Sequence, residues 1–575
     1  MIRKKIGYLL FLLCFTFGCA SQPETNEVSV RLVQDPESLN PVQYSSVAAT
    51  QLLSLLYQSL LVVDLESKQY KPLLVKEIPQ AEIKGAQTFY TFHLRPEATW
   101  DNGKPITAAD VVFSLKVINC PGLKNQRLKS FFEFIKEVQV YAGDPGKFTL
   151  VCGKFIPDEI LQIEQFALLP EYLVDPQGLL QPYSLQALAA ATDSLAAQPN
   201  IQAFVAWFNS DRFTRDKAFL KGSGGYELEQ WETGQYVRFR KKQHWWGDKL
   251  SESLPYVTAK PRQVNFRIIP DNATALLALR NEQLDVLADV PVAASQQLNA
   301  DKTFRENYHL FTPSTYDITY IGLNGRSAKL ADARTRQALA HLLDVPDILQ
   351  ATQSGFATPT IGPINPSDTL LYNRAVVPYT FNLNKARDLL VAAGWQRQGA
   401  GWRQKIKGRW MPLEITLNYK AGNSEFESIA LIFQQAAAKI NIPVTIQPLE
   451  GLLLTEKLKA HDFDMFLRYL SGNPFFFNFK PILHTESAAA GGGNYTGFGT
   501  PESDRLIDQI NQTQDSKTKA SLLKRFQQVL HQESNLIFLY FNKDRLAIHK
   551  RFTNLKVSGI KPGYDVSAFT LKTGK

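Results

Sequence analysis

Alternation of apolar and polar positions marks short strands along much of the chain. Glu27 to Val33 and Leu413 to Asn418 alternate in this way. The segment Thr88-Phe89-Tyr90-Thr91-Phe92-His93-Leu94 adds the β-branched and aromatic residues that suit a pleated, half-buried surface. Tyr236 to Arg240, Val264 to Pro270 and Val444 to Gln447 read as further strands, and Phe148 to Val151 as one ending at Cys152. Apolar residues at helical spacing occupy Gln51 to Val63, Ala273 to Arg280 and Ile429 to Ala438, and Asp158 to Gln202 is rich in helix formers. Strands and helices interleave after Leu413, which is the pattern of an α/β protein.

Punctuation between these elements is informative. Asn102-Gly103 follows the Thr88–Leu94 strand, and both residues tolerate positive φ, so a tight turn is expected there. Thr107 then suits a helix N-cap, and Asp110 stands three positions on, an acidic form of the capping box. Trp231-Glu232-Thr233-Gly234-Gln235 reads as a hairpin turn before the Tyr236 strand.

At 575 residues the chain exceeds one ordinary core, so two or three domains are expected. Hydrophobic content of 44% and charged content of 20% describe a globular chain rather than a disordered one. The net charge is +9, of which Arg3, Lys4 and Lys5 supply three. The remaining charge is diffuse and lacks the dense Lys/Arg runs with interleaved aromatics that nucleic-acid binding needs, so no nucleic-acid partner is expected.

Those three residues open a targeting pattern. Ile6 to Phe17 has the length of a signal h-region, and Gly18-Cys19 ends it. Thr16-Phe17-Gly18-Cys19 resembles a bacterial lipobox, with Thr16 where leucine is usual. Residues 1–18 are thus read as a lipoprotein signal peptide, Cys19 as the lipid attachment site and 19–27 as a tether; an ordinary signal peptide cut nearby is the alternative. Cys14 would leave with the signal. Cys120 and Cys152 remain, an even pair in an oxidising compartment, open either to a disulfide or to two buried thiols.

The wording of the stretch from Thr88 to Ser114, with Trp100-Asp101-Asn102-Gly103-Lys104-Pro105 and Asp110-Val111-Val112-Phe113-Ser114, closely resembles the signature of the family 5 extracellular solute-binding proteins. These are the dipeptide, oligopeptide and nickel receptors of ABC importers. Ser38-Leu39-Asn40-Pro41, Gly222-Ser223-Gly224-Gly225-Tyr226, Asn281-Glu282-Gln283-Leu284-Asp285, Arg334-Thr335-Arg336-Gln337-Ala338-Leu339, Asp462-Phe463-Asp464-Met465 and Ile537-Phe538-Leu539-Tyr540-Phe541 resemble further family elements, in family order. The resemblance runs from about Leu39 to Phe541. It implies a two-lobed periplasmic-binding-protein fold, type II-like, with an extra subdomain in the first lobe. On that reading residues 28–75, 215–272 and 542–575 form the discontinuous lobe I, 76–214 the extra subdomain and 273–541 lobe II.

Catalytic motifs are missing. No G-x-S-x-G, H-E-x-x-H, C-x-x-C or Walker A sequence occurs, and Gly491-Gly492-Gly493-Asn494 lacks the Lys-Ser/Thr of a phosphate loop. His244 and His461 are isolated, with no zinc-ligand spacing. Asp462 and Asp464 alternate along an apparent strand and form the one carboxylate pair available for acid–base work. No enzyme, cofactor or metal is expected.

In peptide-binding members of the family, an aspartate four residues before a proline, just after the "dfDm" strand, pairs with the peptide's α-amino group. Counting back from Pro474 gives Leu470, or Ser471 with a one-residue gap, and no acid lies between Met465 and Pro474. Arg468 is basic, so this stretch alone favours an anionic or neutral ligand group, unless another acid such as Glu486 reaches the site. The resemblance places Tyr44, Ser45, Ser46 and Val47 along the cleft and Tyr540 and Phe541 near the hinge, with Arg468, Tyr469, Leu470 and Ser471 as the remaining candidate contacts. What it implies is a monomeric, lipid-anchored protein of the cell envelope, at the periplasmic or outer face of a membrane. It would capture a peptide or other small solute by hinge closure and deliver it to an ABC permease. A transporter-independent sensor or chaperone of the same fold, and a secreted hydrolase using the aspartate pair, are the alternatives.

Overall fold

Val28 and Val30, fully buried on one face of the strand Glu27–Leu32, lie at the centre of a seven-stranded sheet in the computed structural model. The structure describes residues 26–44, 46–123, 125–156, 158–472, 474–475, 477–489 and 492–572. The signal and lipid-attachment assignments, Cys19 included, lie outside the described residues. Glu27–Leu32 runs parallel to Gln263–Ile268, with Val28 opposite Val264 and Val30 opposite Phe266. On its other side Val30 meets Val286. The hairpin Tyr226–Glu232 and Tyr236–Lys241 forms one edge of the sheet; Leu546–His549 and Tyr308–Phe311 form the other. The helix Val47–Leu56 packs on this layer, and its last carbonyls approach the Gly222–Gly225 segment closely. A Cβ on Gly222 would stand 2.4 Å from the Leu56 carbonyl oxygen and one on Gly224 2.3 Å from that of Leu55, so these two positions admit only glycine.

The predicted strand, turn and capped helix are all present. Gln87–His93 lies in a four-stranded antiparallel sheet with Glu82–Lys84, Ile135–Tyr141 and Asp144–Cys152. Gly103 has φ 77°, and Ala108–Asn119 is helical. The Asp110 carboxylate accepts from the Thr107 amide at 2.8 Å and from the Trp100 indole at 3.2 Å, which ties the turn to the helix N-terminus. Cys120 follows this helix and Cys152 ends its strand. Both are buried free thiols, so the disulfide alternative is not the arrangement found. Burial pushes each thiol up to about 12, which leaves both unreactive at neutral pH.

The second lobe is built on a six-stranded mixed sheet. Its order is Ala357–Pro359, Leu536–Lys543, Ser314–Leu323, Met465–Ser471, Ile415–Lys420, Val444–Leu449. Ile415–Lys420 is parallel to both of its neighbours. Separate apolar layers cover the two faces, one including Phe433, Trp395 and Leu467, the other Phe526, Phe466 and Phe538.

The boundary expected at 273 falls too early. Val286 and Leu287 pair with Ile548 and Ala547, and Tyr308 pairs with His549, so residues 273–311 complete the first lobe's sheet and its helical cover. Asp285 anchors this insertion. It is 3% exposed, accepts from the Ser29 amide at 2.8 Å and forms a two-pronged ion pair with Arg551 at 2.7 and 2.8 Å. The chain crosses to the second lobe at Thr312–Pro313 and returns at Asp544–Arg545. Among the described residues no helix is long and apolar enough to cross a membrane.

Candidate functional site

Thr319 sits in the middle of the second lobe's sheet, directly opposite Tyr469 in one neighbouring strand and Tyr540 in the other. Residues opposite one another in adjacent strands project from the same face. The three hydroxyls therefore form a row, and all three reach Glu425 in the first turn of the helix Ser424–Ala438. Tyr540 donates to its carboxylate at 2.8 Å, and Tyr469 and Thr319 donate at 3.1 Å. Asn423 caps the helix by accepting from the Phe426 amide at 3.0 Å, and its Nδ2 donates to the Tyr469 hydroxyl at 3.3 Å. A helix N-terminus favours the negative charge placed there. Burial first, and the Glu425 charge second, raise the pKa of both phenols, so they stay protonated as donors.

One step along the same face, toward the crossings, Asp317 lies opposite Ser471, and the Asn542 amide donates to Thr319 at 3.3 Å. The return crossing brings first-lobe charges alongside. Asp544 pairs with Lys561 at 2.8 Å, and Asp289 stands 3.9 Å from the same ammonium. Burial opposes the Lys561 charge, but Asp289 and Asp544 outweigh it and raise the ammonium's pKa. Arg545, lowered by burial, feels Asp289, Asp544 and Glu425, while its Nε donates to the Val290 carbonyl at 2.6 Å. Four carboxylates, those of Asp289, Asp317, Glu425 and Asp544, thus face two cations where the lobes join. The lobes meet again where the Tyr70 and Phe475 rings approach to 4.4 Å and Lys519 pairs with Asp158 at 2.7 Å. A small cavity of about 80 Å³ lies beside the latter pair.

The sequence-derived candidates divide. Tyr469, 44% exposed, and Ser471 lie on the Glu425 face of their strand. Arg468 and Leu470 point to the other face, where the Arg468 guanidinium covers the Tyr495 ring at 5.5 Å and has no carboxylate partner among the described residues. Tyr540 is fully buried in the apolar layer that includes Phe433 and Trp395, with its hydroxyl on Glu425. Phe541 is 1% exposed and packs in the second lobe's core, so it cannot present its ring to a solute. Tyr44 packs half-buried against the first lobe's core. Ser46 is the N-cap of the Val47–Leu56 helix, accepting from Ala49 at 3.1 Å while Glu37 takes its amide at 2.8 Å; Val47 opens that helix. Ser45 lies outside the described residues.

The aspartate pair is not a dyad. Both residues precede the strand that starts at Met465; Asp464 pairs with Lys329 at 2.8 Å and Asp462 with Lys457 at 2.6 Å. His461 Nδ1 donates to the Tyr495 carbonyl, 2.7 Å away, as part of loop packing. Glu486 is exposed and bound to Lys480 at 3.0 Å. Glu425, Thr319, Asp317 and Asn542 were absent from the sequence-derived set. The one local signal was Asn423 ahead of an acidic first turn, a helix-start pattern that says nothing of the strands opposite.

Two α/β lobes, crossed twice by the chain and carrying a polar site where they join, define a two-lobed binding protein. The sequence profile of the bacterial extracellular solute-binding proteins, family 5 Middle, matches residues 69–487, and this chain belongs to that family. The oligopeptide-binding protein AppA of Bacillus subtilis (strain 168) is 23% identical over 584 residues, covering 98% of each chain. A solved structure of AppA from Bacillus subtilis in complex with a nonapeptide has a TM-score of 0.69 at 22% identity, over 95% of this chain and 99% of its own. NikZ from Campylobacter jejuni in complex with Ni(L-His) has a TM-score of 0.68 at 20% identity, over 95% and 99%. These similar proteins are solute-binding proteins rather than enzymes.

Proposed function

We propose that this chain is the solute-binding lipoprotein of an ABC importer and that its solute is a peptide, held by its amino terminus at Glu425. The observation that carries this reading is the acid excess around the Tyr540–Thr319–Tyr469 row. Three hydroxyls fix the Glu425 carboxylate, Tyr469 reaches solvent beside it, and Asp317 follows on the same face. A peptide ammonium entering there gains a charge-assisted bond that strengthens as water is excluded. Glu425 takes the part that the sequence alone left vacant at Leu470. Arg468 projects from the opposite face of its strand, over Tyr495, and takes no part in this anchor.

The two short crossings at Thr312–Pro313 and Asp544–Arg545 are the natural hinge, and a ligand touching both lobes favours the closed form by its differential affinity for it. Cys19 supplies a lipid anchor at the outer face of a membrane, and the closed monomer delivers its peptide to a membrane permease. The peptide class fits the name of the oligopeptide-binding protein AppA, which is similar over 98% of each chain. Isothermal titration with a mixed tripeptide library, and with the same peptides N-acetylated, tests the reading. Binding of the free but not the acetylated peptides is expected; equal binding of both would refute an amino-terminal anchor.

A further inference from the structure

A cavity of about 930 Å³ opens in the first lobe between the Trp100–Gly103 turn and the end of the strand Tyr236–Lys241. No residue of the second lobe lines it, so it is separate from the cleft at the crossings. Its walls carry six cations, Lys221, Arg240, Lys241, Lys242, Lys260 and Arg262, against two carboxylates. Both carboxylates are engaged: Asp101 pairs with Lys242 at 2.5 Å and Glu227 with Arg240 at 2.7 Å. Lys241 has Asp248 at 2.9 Å. Lys221, Lys260 and Arg262 have no carboxylate partner among the described residues.

A second, independent feature lies in the same wall. Ser223 is 1% exposed and its hydroxyl has no hydrogen-bond partner, although its carbonyl accepts from both the Trp245 and Trp246 indoles at 2.9 Å. The side-chain oxygen of Asn26, also on the wall, is likewise buried and unpaired. Buried polar atoms ordinarily find partners, so these two mark a wall left polar and under-satisfied beside the unpaired cations. The volume suits a small organic anion.

We propose that this cavity is a second binding site, for a phosphate-bearing anion gripped by Lys221, Lys260 and Arg262. The shared chemistry has two sources, a free phosphorylated solute or the headgroup of an anionic membrane lipid. Asn26 lies seven residues beyond Cys19, a span of at most ~25 Å for an extended chain. If Cys19 carries lipid, as the proposed function holds, the cavity is confined near the bilayer surface; the free-anion source does not depend on that reading.

Trp100, Trp245 and Trp246 are buried in the cavity wall, so tryptophan emission reports its occupancy. The experiment titrates the full chain, solubilised in neutral detergent, with pyrophosphate, with dihexanoyl-phosphatidylglycerol and, as a control, with dihexanoyl-phosphatidylcholine. Saturable response to pyrophosphate identifies a free anion; response to the glycerol lipid but not the choline lipid identifies a headgroup. In either case Lys260→Glu combined with Arg262→Glu, both at exposed positions, is expected to weaken the response at least tenfold, and Lys221→Gln to weaken it several-fold. Glu425→Gln must leave it unchanged, which separates this site from the peptide cleft. Absence of a saturable response to both pyrophosphate and the glycerol lipid, or a response that the charge substitutions do not alter, would overturn the proposal.

Discussion

The Tyr540 hydroxyl donates to the Glu425 carboxylate at 2.8 Å, although 115 residues separate the two in sequence. This bond joins the strand that leaves the second lobe to the first turn of the helix Ser424–Ala438. It orients the carboxylate so that Tyr469 and Thr319 can also reach it. Tyr540→Phe removes one of the three donors and is expected to destabilise the second lobe by about 1.5 kcal/mol, the net worth of a hydrogen bond to a charged group. Urea unfolding of the variant beside the parent measures this, and an unchanged midpoint would show that the bond contributes nothing.

Glu425→Gln keeps the size of the side chain and removes its charge. Peptide affinity should fall at least tenfold, about 1.4 kcal/mol. The loss should be confined to peptides with a free amino terminus, as read by calorimetry on free and acetylated peptides.

Arg468 occupies the opposite face of the same strand as Tyr469, stacked on Tyr495. Because it faces away from Glu425, its substitution by alanine is expected to leave peptide affinity within about twofold, about 0.4 kcal/mol. A tenfold weaker dissociation constant would instead make Arg468 a ligand contact.

Stability should depend on pH through His531. Burial lowers this imidazole from its ordinary 6.5 to about 4 in the folded chain, where its ring stacks 4.1 Å from Tyr379. As pH falls through 6.5 the unfolded chain takes up the proton first, so stability declines between about 6.5 and 4 and levels off below. At ~1.36 kcal/mol per pKa unit, reduced for the part of the ring that faces solvent, the decline is on the order of 2 kcal/mol. His531→Gln should flatten this segment of the pH profile in chemical denaturation, and an unaltered slope would assign the dependence to other groups.

The Asp285–Arg551 pair clamps the insertion that completes the first lobe's sheet. Removing one partner of a buried pair leaves the other charge uncompensated, so Asp285→Ala should cost about 3 kcal/mol of unfolding free energy. Thermal melting of the first lobe checks this, and a shift of less than a degree would contradict it.

Local chemistry was legible in the sequence where neighbours in the chain are also neighbours in space. Thr107 and Asp110 stand one helical turn apart, and their capping pattern places the Ala108–Asn119 helix directly. The Asn102-Gly103 turn and the Gln87–His93 strand were equally local. The lobe boundary was not, because the Asn272–Arg280 helix looks the same whether its flanking strands join one sheet or the next; only the pairing of Val286 with Val30 and Ile548 decides. The site failed for the same reason. Glu425 gains its meaning from the register that sets Thr319 opposite both Tyr469 and Tyr540, and pattern within any one strand carries no record of register between three. Phe541 and Tyr540 are adjacent, yet strand alternation turns them into opposite core layers, and only the Tyr540 layer reaches Glu425.

A peptide held in the cleft by its amino terminus at Glu425 should survive gentle purification. Native mass spectrometry of protein purified without denaturation, compared with its mass after unfolding, tests this most directly, run in parallel on Glu425→Gln. A ladder of co-purified peptide masses is expected on the parent chain, and its loss from the variant. A single non-peptide species retained equally by both would contradict it.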